Sequence, residues 1–207
     1  VYRIGLLAVT ILTLLLSACF GGSRSLSPDY YLLTSRLSTS SQAQTVPAPT
    51  AAFSIGVGPV RVAPFLARQQ IVIHEGSGAM KMQVQRWGEP LEQGIQRVLL
   101  QNLTSLTGAQ SRGFPWRQNT APDYALRVDV TDLDRLSDNK AILEVSWVLE
   151  DLKNRRVVTT QQTRFTTTIS GGDRVALTNA YSDLFAQLAQ HVQKALEHSL
   201  TSSASSP

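Results

Sequence analysis

The chain has a single cysteine, Cys19, among its 207 residues. No disulfide can therefore form within it, and an exported fold would be held by its core alone. Runs of Lys or Arg are missing, as is any ladder of aromatic and basic residues. That excludes the pattern of a nucleic-acid binder in spite of a formal net charge of +4. The longest uncharged apolar stretch, Ile4 through Phe20, falls short of the roughly 20 residues a spanning helix needs. Gly56-x-Gly58 is followed by Pro59 and opens no helix, so it is no dinucleotide fingerprint. There is no Gly-x-Ser-x-Gly elbow and no repeat of fixed period.

Residues able to carry chemistry are correspondingly thin. The three histidines are His74, His191 and His198. His191 and His198 lie two helical turns apart, too far for one metal without outside ligands, and read as polar-face or partly packed residues. His74-Glu75 at a strand end could serve as a general base, but no nucleophile pattern accompanies it, and strand-end solvation is the expected role. Asp129, Asp132, Asp134 and Asp138 lack the glycine and closing Glu of a calcium loop. They read as a solvated strand end and turn. Asn102-Leu103-Thr104 matches a glycosylation pattern but falls inside a helix and is set aside. The sequence thus implies no enzyme, no metal and no cofactor.

What is present begins at the N-terminus. Arg3 precedes a 13-residue apolar run, Ile4–Leu16, and small residues follow, which are the three parts of a secretory signal. Leu16-Ser17-Ala18-Cys19 looks like a lipobox. The thiolate is the nucleophile that alkylation requires, and the small residues before it let an extended chain enter a peptidase groove. The motif implies cleavage between Ala18 and Cys19 and a thioether-linked diacylglycerol on Cys19. Each buried methylene adds about 0.8 kcal/mol, so two or more acyl chains hold where one would not. Removing residues 1–18 would leave 189 residues, enough for one well-buried domain.

Residues 19–29 then form a Gly- and Ser-rich tether, and the domain runs over 30–200. Within it 35–52 reads as a flexible excursion of Ser, Thr, Gln, Pro and Ala. Tyr30–Leu33 is a first short strand. Phe53, Ile55, Val57, Val60 and Val62 alternate as a strand interrupted at Gly58-Pro59. Gln70–His74 and Met80–Val84 are two further strands, joined at Glu75–Gly78. Pro90 sits at a first helical position, Leu91 to Leu106 follow at helical spacing, and Gly108 stops the helix. Tyr124–Val130, Leu143–Leu149 and Arg156–Ile169 are strands. Asp173 caps a last helix carrying Leu177, Tyr181, Leu184, Phe185, Leu188, Val192, Ala195 and Leu196 on one face. The tail 201–207 reads as disordered. The expected fold is α+β: a mainly antiparallel sheet packed against two amphipathic helices, a single domain behind a lipoprotein signal peptide.

Several phrases occur together in this order: Tyr30-Tyr31-Leu32-Leu33, Ile55-Gly56-Val57-Gly58-Pro59-Val60, Pro64-Phe65-Leu66-Ala67-Arg68, Gln70-Ile71-Val72 and Trp87-Gly88-Glu89-Pro90-Leu91. They resemble the PqiC (YmbA) lipoproteins, the ABC-type transport auxiliary lipoproteins, over roughly Tyr30 to Leu196. One departure is Gln69, where members often carry proline. The resemblance implies an auxiliary, non-enzymatic subunit beside an MCE-type intermembrane lipid transporter. It would dock an MCE-domain protein at the outer membrane, facing the periplasm. Phe20 directly after Cys19, in place of Asp, favours outer-membrane sorting. A homo-oligomeric ring is the geometric expectation where a tunnel end is met around its circumference. The alternative is a carrier that holds acyl chains itself, and a periplasmic hydrolase ranks below both. The residues nominated for partner binding are Phe65, Leu66, Trp87 and Glu89. For Trp87 and its neighbours, a purely structural entry to the helix is the favoured alternative.

Overall fold

The computed structural model describes residues 28–37, 51–75, 79–136, 139–172 and 174–204. Cys19 and Ala18 lie outside them, as do the turn 76–78, Asp138 and Asp173, so those expectations carry no structural statement here.

Two sheets and two helices share one core. A five-stranded sheet has the order β5-β2-β6-β7-β8. Its members are β2 (Ser54–Val62), β5 (Gln110–Gly113), β6 (Tyr124–Arg135), β7 (Lys140–Asp151) and β8 (Arg156–Thr168). A three-stranded sheet orders β1 (Tyr30–Tyr31), β4 (Ala79–Trp87) and β3 (Gln70–Glu75) as β1-β4-β3. Helix α1 spans Leu91–Thr107 and α2 spans Arg174–Ala204. The long pairings β6–β7 and β7–β8 are antiparallel, whereas β2 joins both β5 and β6 in parallel, and β1 joins β4 in parallel. Parallel neighbours need a crossover; between β2 and β6 the chain builds β3 and β4 of the small sheet, α1 and β5.

Burial follows the alternation of the strands. Tyr124, Leu126, Val128 and Val130 of β6 and Leu143, Val145, Trp147 and Leu149 of β7 are buried in the common core. The helix positions expected on one face of α2 also enter it, with Trp147, Tyr181 and Phe185 the largest fully buried side chains. The Gly58-Pro59 interruption is a shift in the β2–β6 register between Val57 and Val60. Gly58 has φ +122, and a Cβ there would stand 2.5 Å from the Phe114 Cβ, so no other residue fits without displacement.

Three local expectations shift. Pro90 is the residue before α1, with φ −51 and ψ 131, and not its first helical residue; its fixed φ serves either place, and the extended ψ continues the connection from β4. β5 was not expected, because Gln110–Gly113 has no apolar alternation and is recruited through backbone pairing with β2. The last helix runs through Ala204, four residues into the Ser-rich tail. Ser199 is buried there, and the Thr201 hydroxyl donates to the carbonyls of Glu197 and His198 at 3.1 and 2.9 Å.

Candidate functional site

The Trp87–Pro90 connection is a structural joint. Trp87 is 6% exposed, its ring 6.3 Å from that of Tyr181 on α2, and its N–H donates to the Gln69 carbonyl at 2.7 Å. Glu89 is half-buried and accepts from Arg97 of α1, and Arg97 also donates to the Leu33 carbonyl at 2.9 Å. The joint thus ties β4, α1 and the end of β1 together, as the structural reading has it. Leu66 is 5% exposed, while Phe65 is half-buried and stands edge-on to His74 at 5.5 Å. Trp87 and Leu66 are therefore core residues, and their side chains are not offered to a partner.

Beside Tyr181 is an enclosed space of about 10 Å³ lined by Leu66, Ile71, Trp87, Leu91 and Leu133 among others. It is smaller by more than an order of magnitude than the hundreds of Å³ that an acyl chain requires. An open depression of about 250 Å³ on the outer sheet face is lined by Thr131, Glu144, Val145, Ser146, Gln162 and Arg164 among others, and it is too open to enclose an acyl chain.

His74 does not merely solvate a strand end. Its Nδ1 lies 2.7 Å from Asp134 Oδ2, and its backbone N–H donates to the same carboxylate at 3.1 Å. Asp134 is buried and also accepts from the Arg135 N–H at 2.7 Å. The carboxylate therefore fastens β3 to the end of β6, so this member of the Asp cluster is packed and not solvated. Asp132 is half-buried; burial first, and then the charge of Asp134, push its carboxyl above the usual range. Tyr181, wholly buried with its hydroxyl unpartnered, is driven far above the ordinary phenol value by desolvation and by both aspartates. Of the other histidines, His191 is exposed and stands edge-on to Phe165 at 4.9 Å, and His198 is exposed.

Sequence reasoning weighed Asn102 only as part of a glycosylation pattern; it is fully buried in α1. Its Oδ1 accepts from the Ser35 hydroxyl at 2.7 Å and from the backbone N–H of Arg36 and Leu37 at 3.3 Å. Those three residues stand at the start of the stretch read as a flexible excursion; 38–50 lie outside the described residues. The available signal was an amide on the apolar stripe of a helix, between Val98, Leu99 and Leu103, which must find a partner when buried.

A second feature missed from the sequence is an aromatic knuckle after β5. Phe114 is 45% exposed and stacks edge-on against Trp116 at 5.2 Å. The peptide bonds Gly58-Pro59 and Phe114-Pro115 are both cis, and the two loops are laced together. The Phe114 N–H donates to the Val57 carbonyl at 2.9 Å, and Gln96 of α1 donates to the carbonyls of Val57 and Phe114 at 3.0 and 2.9 Å. A Cβ on Gly56 would meet both Pro122 and Trp116, which places the knuckle at the start of β6. The joint around Trp87 adjoins Leu133, near its end. Ala125 and Leu133 are eight residues apart, about 26 Å along a strand.

No curated protein matches the sequence. The family model for the ABC-type transport auxiliary lipoprotein component matches residues 35–193. A protein from Xanthomonas campestris has a similar crystal structure, with a TM-score of 0.63 at 15% identity over 84% of this chain and 99% of that one. Another crystal structure, of a protein described as uncharacterized, gives 0.66 at 16% identity over 82% and 99%. The PelC dodecamer from Paraburkholderia phytofirmans gives 0.42 at 17% identity over 68% and 88%.

Proposed function

From the premise that the chain belongs to the ABC-type transport auxiliary lipoprotein family, we propose that it is a docking subunit of an MCE-type intermembrane lipid transporter. In this reading Cys19 carries the diacylglycerol, Phe20 directs sorting to the outer membrane, and the domain faces the periplasm. Its task is contact with an MCE-domain protein, without chemistry of its own. The observation that carries it is the knuckle: exposed Phe114 braced by half-buried Trp116, where the Phe114-Pro115 loop is laced to the Gly58-Pro59 irregularity of β2, at the end of β6 away from the tether-bearing strand β1. Aromatic side chains held rigid lose little entropy on binding and are common anchors of protein interfaces. Phe65 and Glu89 keep partial exposure and belong to the neighbouring surface, though Glu89 is already engaged by Arg97. Several copies set around a tunnel end would present the knuckle as a ring.

An acyl-chain carrier is the weaker reading, because the enclosed space beside Tyr181 has room for about one water molecule. The test is crosslinking and pull-down of the lipidated protein from its native envelope, with mass spectrometry of what is bound. Recovery of an MCE-domain protein, lost when Phe114 and Trp116 are replaced by Ala, is the expected result. Recovery of lipid alone in stoichiometric amount would overturn the docking reading in favour of the carrier.

A further inference from the structure

Apolar side chains left on the surface are not scattered. Of the eight large hydrophobic residues that are exposed among the described ones, five belong to the small sheet and its margin: Tyr30, Leu32, Met80, Met82 and Val84. Met80, Met82 and Val84 alternate along β4 and are 51–57% exposed, whereas Gln85 and Trp87, of opposite parity, turn into the body. Tyr30, itself 61% exposed, pairs with Arg86 in the β1–β4 register, two residues from Val84. The result is one strip about 25 Å long, from Met80 to the Leu32 side chain over Gly88, with half-buried Arg86 on the same face between Val84 and Gly88. A contiguous apolar strip marks a surface that meets something other than water.

The direction of the chain says what that is. β1 is parallel to β4, and the Arg86 N–H donates to the Asp29 carbonyl at 3.0 Å. Read backward from Tyr30 towards the N-terminus, the chain therefore heads along β4 from Arg86 towards Val84, Met82 and Met80. Cys19 lies ten residues before Asp29, a reach of at most about 35 Å. The part of the domain nearest the start of that tether is the strip itself. We propose that Tyr30, Leu32, Met80, Met82 and Val84 form a membrane-contact face that seats the domain on the bilayer holding its lipid anchor. The chemistry suits an interface: unbranched thioether side chains adapt to disordered acyl chains, and tyrosine places its ring among apolar groups and its hydroxyl among headgroups. A second attachment beside the acyl chains would also fix the orientation of the domain on the bilayer.

This inference rests on the lipid anchor at Cys19, so the experiment reads the two separately. The lipidated protein is reconstituted into vesicles of phosphatidylethanolamine and phosphatidylglycerol. With Cys19 blocked by its lipid, Met82→Cys supplies one thiol for an environment-sensitive fluorophore, and Val157→Cys on β8, equally exposed at 57%, is the control. The expected result is a blue shift of the Met82 probe on reconstitution, with quenching by nitroxide-bearing lipids several-fold stronger than at Val157. Equal quenching at the two sites overturns the proposal. So does a blue shift that nitroxide lipids leave unquenched and that fades as protein is diluted in the vesicles, because then a second copy covers the strip. The mass of the N-terminal peptide and vesicle flotation report the anchor. An unmodified Cys19 that does not float overturns the anchor and, with it, the ground for a membrane face.

Discussion

β7 and β4 carry the same kind of pattern and meet opposite fates. Leu143, Val145, Trp147 and Leu149 alternate along β7 and disappear under the helices; Met80, Met82 and Val84 alternate along β4 and stay in solvent. Periodicity establishes that side chains share a face, but not what covers it. In β7 the cover is supplied by the chain itself, so the apolar area is spent on stability. In β4 none of the described residues closes over the strip, and the same chemistry is left for an external surface.

The contrast makes graded predictions. The largest effect belongs to Trp147→Ala, which removes a ring 1% exposed and should cost about 3–5 kcal/mol in a denaturant titration. An intermediate effect is expected where the small sheet is fastened to the large one. Asp134→Ala leaves the His74 and Arg135 N–H groups without their acceptor, which should cost about 1–3 kcal/mol. Hydrogen exchange should then rise in Gln70–Glu75 before it rises in β7, whereas uniform loss of protection would mean that the two sheets do not come apart separately.

A smaller, pH-linked effect concerns the β7–β8 turn. Burial works against the charge of Asp151, but hydrogen bonds from the side chain and N–H of Asn154 and from Arg156 outweigh it and hold the carboxyl below its usual value. Its stabilisation is complete above the ordinary carboxylate value near 3.9 and is lost as pH falls towards the lowered one. Asp151→Asn should lower stability at pH 7 and flatten the acid limb of a stability–pH profile; an unchanged limb would assign it to other carboxylates. The smallest effect is Met82→Ser. It should change stability by no more than about 0.5 kcal/mol, and a larger loss would show that the strip is part of the fold after all.

Much of the architecture was legible because the long strands and both helices bury one face each. Trp147 and its neighbours announce β7, and the run from Leu177 to Leu196 announces α2. The mixed pairing was less visible, since whether β2 runs parallel to β6 depends on the path between them and not on either strand. The surface sites were harder still. Trp87 and Leu66 attracted attention through composition and chain position, yet large apolar residues at a strand–helix joint more often close a core. Phe114 and Trp116 sit in a loop without periodicity, where their fixed place comes from hydrogen bonds of Phe114 with Val57 and Gln96 and from close approach to Gly56 and Gly58. The pairing of His74 with Asp134 joins residues 60 positions apart, a separation no local pattern encodes.

The two anchorages at the C-terminal end of α1 have a consequence for how the chain can vary. Leu37 is held by Asn102, and Ala51 donates its N–H to the Gly108 carbonyl at 3.2 Å. These helix positions are six residues apart, about 9 Å along the axis, so the chain departs and returns at almost the same place. Thirteen residues separate Leu37 from Ala51 in the sequence, and both points of attachment belong to α1 and its C-cap. Doubling the length of a connection whose ends are already held adds only about 0.6 kcal/mol of closure entropy. A change in the number of residues between Leu37 and Ala51 is therefore expected to cost little so long as Asn102 and the Gly108 carbonyl keep both ends.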